Sequence, residues 1–395
     1  MKRTVITNVR VFDGHRVLDG ISTITIFGAQ IFDISPYDPQ QTFPADTETV
    51  DGTSCTLLPG LIDSHVHVDK PQQLDKLASA GVTTALDMAC FPASLMGDIR
   101  NASLATGPDG SPRPAILSAG LIATAPGSTH SKMLGGQYEE CLLTSPEQAK
   151  PFVTKRVAEG SDYIKLVADI PGPSQETLDA LVAAAKTAGK KTVVHAAAYE
   201  PFHMAVQSGA DLVTHVPMGR SVDAAWAETL AEEDRTCCPT LIMMEGMCNM
   251  LNAGPPPGIG PPPAPQTPTD SEPRPKPSFA HSNESVRTLL KAGVRMLAGT
   301  DAHEAPFAPV PHGTSMHREL QLMNKAGMDP MEVLISATSA PAKYWGLQGK
   351  GVVELNATAD LILVEGQPST DITDIGNVKG VWIGGKKVLK VTPSR

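Results

Sequence analysis

The sequence predicts an α/β fold in which a (β/α)8 TIM barrel is joined to a small β-sandwich domain built from both chain ends. Eight apolar, strand-like runs alternate with segments of helical periodicity, which is the repeat that such a barrel requires. Both ends of the 395-residue chain contain only short strand-like runs and turns, which indicates a second domain. The strand-like runs of the middle lie at 57–68, 83–88, 115–120, 162–168, 191–197, 211–216, 236–244 and 294–301.

The two chain ends have the same character. Residues 1–56 contain the alternating runs TVITNVRVF and STITIFGAQIFDI, and residues 352–395 contain VVELNATADLILVEG and VKGVWIGGKKVLK. We predict that these two segments pair into one composite β-sandwich domain, because such pairing buries the apolar face of each. Residues 57–351 then form the barrel domain.

Helical periodicity is clearest between the fourth and fifth strand-like runs. In 174–191 the apolar residues Leu178, Leu181, Val182 and Ala185 follow helical spacing, and a glycine stands near the expected end. A second helical region covers 317–347. The proline-rich segment 252–278 predicts neither helix nor strand, and it is either a solvated insertion or a wall that restricts which substrates enter.

Composition limits the partners of the chain. The net charge of −10 and the lack of a long Lys/Arg run argue against a nucleic-acid partner. No apolar stretch is long enough to span a bilayer, and the N-terminal residues lack the apolar core of a signal peptide. We therefore expect a cytoplasmic protein with no membrane association. The six cysteines show no metal-knuckle or disulfide spacing, so we expect reduced thiols.

Six residues with ligand-type side chains accompany the strand-like runs. His65 and His67 stand two apart, so on an extended segment both imidazoles point to the same face. Each of four later runs supplies one more such residue near its end, which predicts a shared site at the mouth of the barrel. These four residues are Lys165, His195, His215 and Asp301.

A catalytic metal ion keeps one coordination position open, and four histidines and an aspartate are more ligands than one such ion binds. We therefore predict two divalent metal ions, most simply Zn²⁺. A second ion needs a bridging anion, and the fourth strand offers only Lys165. A neutral lysine amine can add CO2 and become a carbamate, which is a two-oxygen ligand. The alternative is an ordinary lysine that pairs with a carboxylate such as Asp301, and the spacing does not separate the two.

The same motifs, in this order, resemble those of the metal-dependent amidohydrolase superfamily. The resemblance rests on LPGLIDSHVHV, DYIKL, VVHA, VTHV and AGTDA, and it continues through HGTSMHRELQLMNKAG to TADLILVEGQP near the C-terminus. Within this superfamily, the chain more narrowly resembles the branch that contains imidazolonepropionase-like proteins, Xaa-Pro dipeptidase and carboxypeptidase-like enzymes, and ochratoxin amidohydrolase. Relatives in this superfamily often form homo-oligomers, so the resemblance implies one here.

The resemblance also implies roles for the six residues. A hydroxide between the metal ions would attack the scissile carbonyl, and Asp301 would accept its proton and pass it to the leaving nitrogen. It implies that one metal ion is held by His65, His67 and Asp301, the other by His195 and His215, and that carboxylated Lys165 bridges them.

Three substrate contacts are predicted, the first from the resemblance and the others from their positions in the chain. His130 stands where relatives carry a Gly-Gly-His-type loop near the substrate carboxylate, although this sequence has Gly-Ser-Thr-His. Tyr138 and His303 are further candidates, because one lies in the same loop and the other follows Asp301 by two residues.

The resulting expectation is a hydrolase that cleaves an amide bond in a small peptide-like or N-acyl amino acid substrate. Opening of a cyclic amide, such as a lactam or an imidazolone, is the alternative. A mononuclear deaminase or decarboxylase is disfavoured by Lys165, and a non-catalytic scaffold is disfavoured by the complete ligand set.

Overall fold

The computed structural model describes residues 2–253 and 276–389, which divide into two compact units. The first unit comprises the chain up to Leu86, Gly97–Ile116 and the chain from Pro311 onward, and the second comprises Asp87–Met96 and Leu117–Val310. Most of the proline-rich segment 252–278 lies outside the described residues, so its predicted character stays a prediction.

Strands and helices alternate along the chain, so the fold is mixed α/β. The strands of the described ranges are β1 (Arg3–Val11), β2 (Ser22–Phe27), β3 (Gln30–Pro36), β4 (Glu48–Asp51), β5 (Cys55–Pro59), β6 (Leu61–Val66), β7 (Val82–Asp87), β8 (Ala115–Ser118), β9 (Ile164–Val167), β10 (Thr192–His195), β11 (Leu212–Thr214), β12 (Thr236–Cys238), β13 (Arg295–Met296), β14 (Leu361–Glu365), β15 (Val378–Ile383) and β16 (Lys386–Lys387). The α-helices there are α1 (Pro71–Ser79), α2 (Leu95–Leu104), α3 (Thr129–Met133), α4 (Ala149–Ala158), α5 (Gln175–Thr187), α6 (Tyr199–Gln207), α7 (Ala224–Glu232), α8 (Leu241–Ala253), α9 (Phe279–Ala292), α10 (Thr314–Lys325), α11 (Pro330–Ser336) and α12 (Ser339–Trp345). Short 3-10 helices occur at Glu139–Cys141, Pro146–Gln148 and Ile372–Gly376.

Strands from both chain ends share one sheet in the first unit. Its order is β16-β15-β14-β5-β1-β2-β3, and β4 pairs with β1. β14 runs antiparallel to β5 with Leu363 opposite Leu57, so the C-terminal strands extend the N-terminal sheet. Fully buried Ile24, Leu57 and Trp382 belong to the apolar core of this sheet. The pairing of the two ends is as predicted, and their arrangement as a two-layered sandwich stays a prediction.

All eight strand-like runs of the predicted barrel contain a strand. β6, β7 and β8 form a three-stranded sheet, and β9 to β13 form a five-stranded sheet in chain order. Each neighbouring pair in the second sheet is parallel. Parallel neighbours need crossover helices, and α5, α6 and α7 supply them between β9 and β12. Closure of these sheets into one barrel stays a prediction.

The predicted helix in 174–191 is α5. Ser174 accepts a hydrogen bond from the Thr177 backbone N–H and so begins the helix, and the predicted apolar face, including Leu178 and Leu181, is buried. Gly189 follows the helix end with a φ of +67°, a backbone conformation that glycine adopts without strain. The helical region 317–347 consists of α10, α11 and α12, and Pro330 begins the second of these.

Three predicted boundaries are wrong. The proline-rich segment predicts no helix from residue 252 onward, but α8 continues to Ala253. The run 236–244 ends as a strand at Cys238, and from Leu241 it forms α8. Pro239 explains the change, because proline has no N–H with which to continue a ladder. Lys165 is the second residue of β9 rather than its last, since the strand continues to Val167. The apolar run 236–244 has no period that separates strand from helix.

No helix of the described ranges is long and apolar enough to cross a membrane. All six cysteines are buried and none forms a disulfide.

Candidate metal centre

In the first unit, β6 presents His65 and His67. All six residues of β6 are buried, His65 is its penultimate residue and His67 follows its end. The two imidazole rings meet edge to face with centroids 5.4 Å apart. The Ile62 backbone N–H donates to the Ala337 carbonyl at 2.8 Å, which anchors the strand. The predicted same-face pair is therefore formed.

In the second unit, three imidazoles lie in a row. The ring centroid of His195 lies 4.4 Å from that of His130 and 4.4 Å from that of His215. His195 ends β10 and His215 directly follows β11, so two adjacent parallel strands deliver them. Loss of solvent around His195, reinforced by the nearby His215, His130 and Lys165, lowers its pKa well below the usual value. His195 is therefore a neutral imidazole, which is the form that binds a metal.

Thr240 contacts His215 directly, and sequence reasoning missed it. The Nδ1 atom of His215 lies 2.7 Å from the Thr240 hydroxyl oxygen, and Thr240 is fully buried. Thr240 has a φ of +47°, which is uncommon for a β-branched residue. For His215 to present its Nε2 lone pair to a metal, Nδ1 must carry the hydrogen and donate it to Thr240. No pattern in a single sequence marks this threonine.

The amine of Lys165 is buried without a hydrogen-bond partner among the described residues. Burial lowers its pKa to about 8, against the charges of Asp301, Cys238 and Asp87, which raise it. Lys165 therefore makes no hydrogen bond to Asp301, although the charge of Asp301 acts on it, and pairing with this carboxylate stays the alternative. A buried amine with a lowered pKa is the group that can take up CO2, so Lys165 fits a carbamate.

Asp87, at the end of β7, is a second group that sequence reasoning missed. Its Oδ2 accepts hydrogen bonds from the Ser118 hydroxyl at 2.6 Å and from the Cys90 thiol at 3.0 Å. The Tyr163 hydroxyl donates to the Asp87 carbonyl at 2.7 Å. The Ser118 hydroxyl and the Cys90 thiol therefore stabilise a fully buried carboxylate, and its negative charge raises the pKa of Lys165.

Asp301 stands in the loop after β13. It has a φ of +58°, it is 7% exposed, and its Oδ2 lies 3.9 Å from His215 Nδ1. His303 lies close by, with Nδ1 2.8 Å from the Asp301 carbonyl oxygen and Nε2 3.3 Å from that of Phe307. The His303 ring therefore contacts the backbone of the loop that carries Asp301.

The other predicted substrate residues lie in the segment between β8 and α4. His130 belongs to α3 and touches His195, as described above. The Thr129 backbone N–H donates to Asp169 at 2.8 Å, which fixes the start of that helix. Tyr138 packs on Phe91, with ring centroids 5.2 Å apart. His130 thus lies beside the predicted ligand His195, whereas Tyr138 contacts the aromatic ring of Phe91.

Imidazoles and carboxylates are donors that divalent first-row metals accept, and the buried Lys165 amine would become an oxygen donor of this kind as a carbamate. Such groups at or near the ends of parallel strands fit a metal-dependent hydrolase. The sequence matches the amidohydrolase family over residues 56–388, and the chain therefore belongs to that family. It is a hydrolase that acts on carbon–nitrogen bonds, and the predicted resemblance is confirmed.

Solved structures agree with this assignment. A Xaa-Pro dipeptidase with bound methionine in the active site has 25% identity and a TM-score of 0.81, over 98% of this chain and 99% of that one. A prolidase complexed with N-methylphosphonate-L-proline has 22% identity and a TM-score of 0.74, over 98% and 99%. The A. niger ochratoxinase has 20% identity and a TM-score of 0.72, over 98% and 95%. The last two show the fold alone. No curated protein matches the sequence.

Proposed function

We propose that the protein hydrolyses the amide bond of a peptide-like or N-acyl amino acid substrate at a centre of two divalent metal ions. The observation that carries the proposal is the buried amine of Lys165, which has no hydrogen-bond partner among the described residues and belongs to the same unit as His195 and His215. The Xaa-Pro dipeptidase at 25% identity supports the substrate class, because the similarity extends over nearly the whole of both chains.

The residues divide into two ligand sets. In this proposal His195 and His215 would hold one ion, and Lys165, as a carbamate, would be a ligand of both. The carbamate forms when the neutral amine attacks the carbon of CO2, a nitrogen–carbon bond is made and one proton is released. When bound, the ions supply Lewis acidity that polarises a carbonyl and lowers the pKa of water. The other ion would be held by His65, His67 and Asp301.

The chemistry of the chain itself centres on Asp301. Its carboxylate accepts a proton from the attacking water as the carbon–oxygen bond forms. It then donates that proton to the amide nitrogen as the carbon–nitrogen bond breaks, so no other proton carrier is required. The left-handed backbone at Asp301 and the contact of His303 with its carbonyl hold this carboxylate in place.

Substrate binding falls to His130 in this proposal, with His303 and Tyr138 as further contacts. His130 lies against His195, and α3 is fixed at its start by the hydrogen bond to Asp169. An imidazole held in this way can donate a hydrogen bond to a substrate carboxylate.

Elemental analysis of the purified protein tests the centre. We expect close to two transition-metal ions per chain, and we expect Lys165→Ala to lose most of the metal and most of the activity. Lys186→Ala, which removes an exposed lysine on α5, is the matched control and should retain both. One ion per chain in the wild type, or full turnover in Lys165→Ala, would contradict the bridged centre.

A substrate screen tests the reaction. Purified enzyme is offered dipeptides that include Xaa-Pro sequences, N-acyl amino acids and lactams, and the released amine is measured. Turnover of the first two classes, with loss of activity in Asp301→Asn, supports the proposal. Turnover of lactams alone would contradict the linear substrate and favour a cyclic amide.

A further inference from the structure

His312 contacts the backbone of a proposed metal ligand within the first unit. Its Nε2 atom lies 2.9 Å from the carbonyl oxygen of His67, although 245 residues separate the two in sequence. A carbonyl oxygen only accepts, so the imidazole nitrogen donates. His312 is 3% exposed, so water does not compete effectively for this bond.

The residue after His312 lies in close contact with α1. Gly313 has a φ of +92°, and a Cβ placed there would lie 2.4 Å from the Lys76 carbonyl oxygen and 3.2 Å from the Ala80 Cβ. A side chain at this position would be strained and would overlap α1. The start of α10 therefore packs closely against α1, directly after His312.

A second histidine of the same segment makes an analogous bond at the other end of α1. His317, which is 1% exposed, donates from Nε2 to the Ala80 carbonyl oxygen at 2.7 Å. Burial lowers the pKa of His317, so its ring is neutral. The two histidines thus hold the connection from β6 through α1 at both ends. His312 holds the residue that follows β6, whereas His317 holds the residue that follows α1.

The turn between β6 and α1 is closed by its own side chains as well. The Asp69 backbone N–H donates to the Gln73 side-chain oxygen at 2.8 Å, and the Gln73 amide donates back to the Asp69 carboxylate at 2.6 Å. The His67 carbonyl lies at the start of this turn and accepts a further bond from outside it. In the structure, the His312 imidazole holds that carbonyl.

We propose that His312 is a positioning residue that fixes the His67 peptide and thereby aims the His67 imidazole at its metal ion. This inference rests on the proposed function, because it gives His67 the role of a ligand. Groups that orient metal ligands typically contribute about 10–100-fold to metal affinity. His317 has no such role and contributes to stability alone.

The test compares His312→Leu, His312→Gln and His317→Leu in the full chain. Each metal-free protein is titrated with Co²⁺ against a competing chelator, its Co²⁺ absorption spectrum is recorded, and its unfolding is followed separately. We expect His312→Leu to bind Co²⁺ about tenfold or more weakly and to change the spectrum. His312→Gln, whose amide nitrogen can reach the same carbonyl, should recover most of both.

His317→Leu should unfold more easily but keep the affinity and the spectrum of the wild type. Wild-type affinity in His312→Leu, or equal losses of affinity in His312→Leu and His317→Leu, would overturn the positioning role. If His312→Leu does not fold, His312→Asn replaces it, because its shorter amide cannot reach the carbonyl while His312→Gln can. A wild type that binds no Co²⁺ would overturn the proposed function and this inference together, whereas a wild type that binds Co²⁺ with unaffected His312 variants would overturn this inference alone.

Discussion

Replacement of Thr240 by valine should weaken metal binding without unfolding the protein. The change replaces a hydroxyl by a methyl group of similar size at a fully buried position, and both residues are β-branched, so the strain at a φ of +47° is shared. What is lost is the acceptor that lies 2.7 Å from His215 Nδ1. The imidazole then loses the contact that selects the tautomer with a free Nε2 lone pair.

Two independent magnitudes bound the effect. Loss of a group that orients a metal-binding histidine costs about 10–100-fold in metal affinity. A buried donor left without its partner costs about 1–3 kcal/mol, and about 1.4 kcal/mol is tenfold in a binding constant. Both lines give a loss of roughly one to two powers of ten in the metal dissociation constant.

The assay is competition between the metal-free protein and a chromophoric chelator at fixed pH. Thr240→Ser keeps the hydroxyl and should bind metal within a few-fold of the wild type. Thr236→Val is the matched control at the opposite end of β12, where the hydroxyl lies 3.5 Å from Arg295, and it should leave metal affinity unchanged. Equal affinity in Thr240→Val and the wild type would refute the orienting role, as would equal impairment of Thr240→Val and Thr240→Ser.

Four further predictions follow from the same structure. Asp301→Asn keeps an oxygen ligand but cannot carry a proton, so kcat should fall by about a hundredfold or more while part of the metal remains; unchanged kcat would contradict the role. Burial lowers the pKa of Lys165 from 10.5 to about 8 in the folded, metal-free protein. Between about pH 8 and pH 10.5, the Lys165 amine is therefore protonated in the unfolded chain and neutral in the folded protein. The free energy of unfolding, measured with urea relative to Lys165→Met, should therefore increase as pH rises through this window, and a decrease would reverse the assignment. Gly313→Ala should cost about 1–3 kcal/mol in thermal unfolding, because of the φ of +92° and the overlap with Lys76. Deletion of residues 254–276 should change relative kcat/KM among substrates more than metal content, and loss of metal would indicate a structural role.

The hydrophobic pattern predicts much of the fold because strands and helices differ in period. It gives all eight strand positions of the middle region and the buried face of α5. It fails at 236–244, where a continuous apolar run suits either element and Pro239 divides it. The length of β13 is a similar case, since only Arg295 and Met296 of the predicted run are in a strand.

The candidate centre is predictable only in part, for a physical reason. Ligand-type residues near strand ends are visible in the sequence, and His195 and His215 do meet. Thr240 and Asp87 carry no such signal, and for His312 the sequence offers only a histidine in the predicted eighth loop, because their roles depend on which atoms approach them from distant parts of the chain. Their contacts follow from the positions of whole strands and helices, which residue spacing does not specify.

The pairing of β5 with β14 affects how the chain is made. Across this pair the Thr56 hydroxyl donates to the Gly366 carbonyl, and the two residues are 310 positions apart. During synthesis, β5 emerges from the ribosome long before its partner exists, so its unpaired edge stays open to other chains. We therefore expect soluble yield to depend on translation speed and chaperone supply, and C-terminal truncations before β14 to aggregate even though the candidate centre would be fully translated.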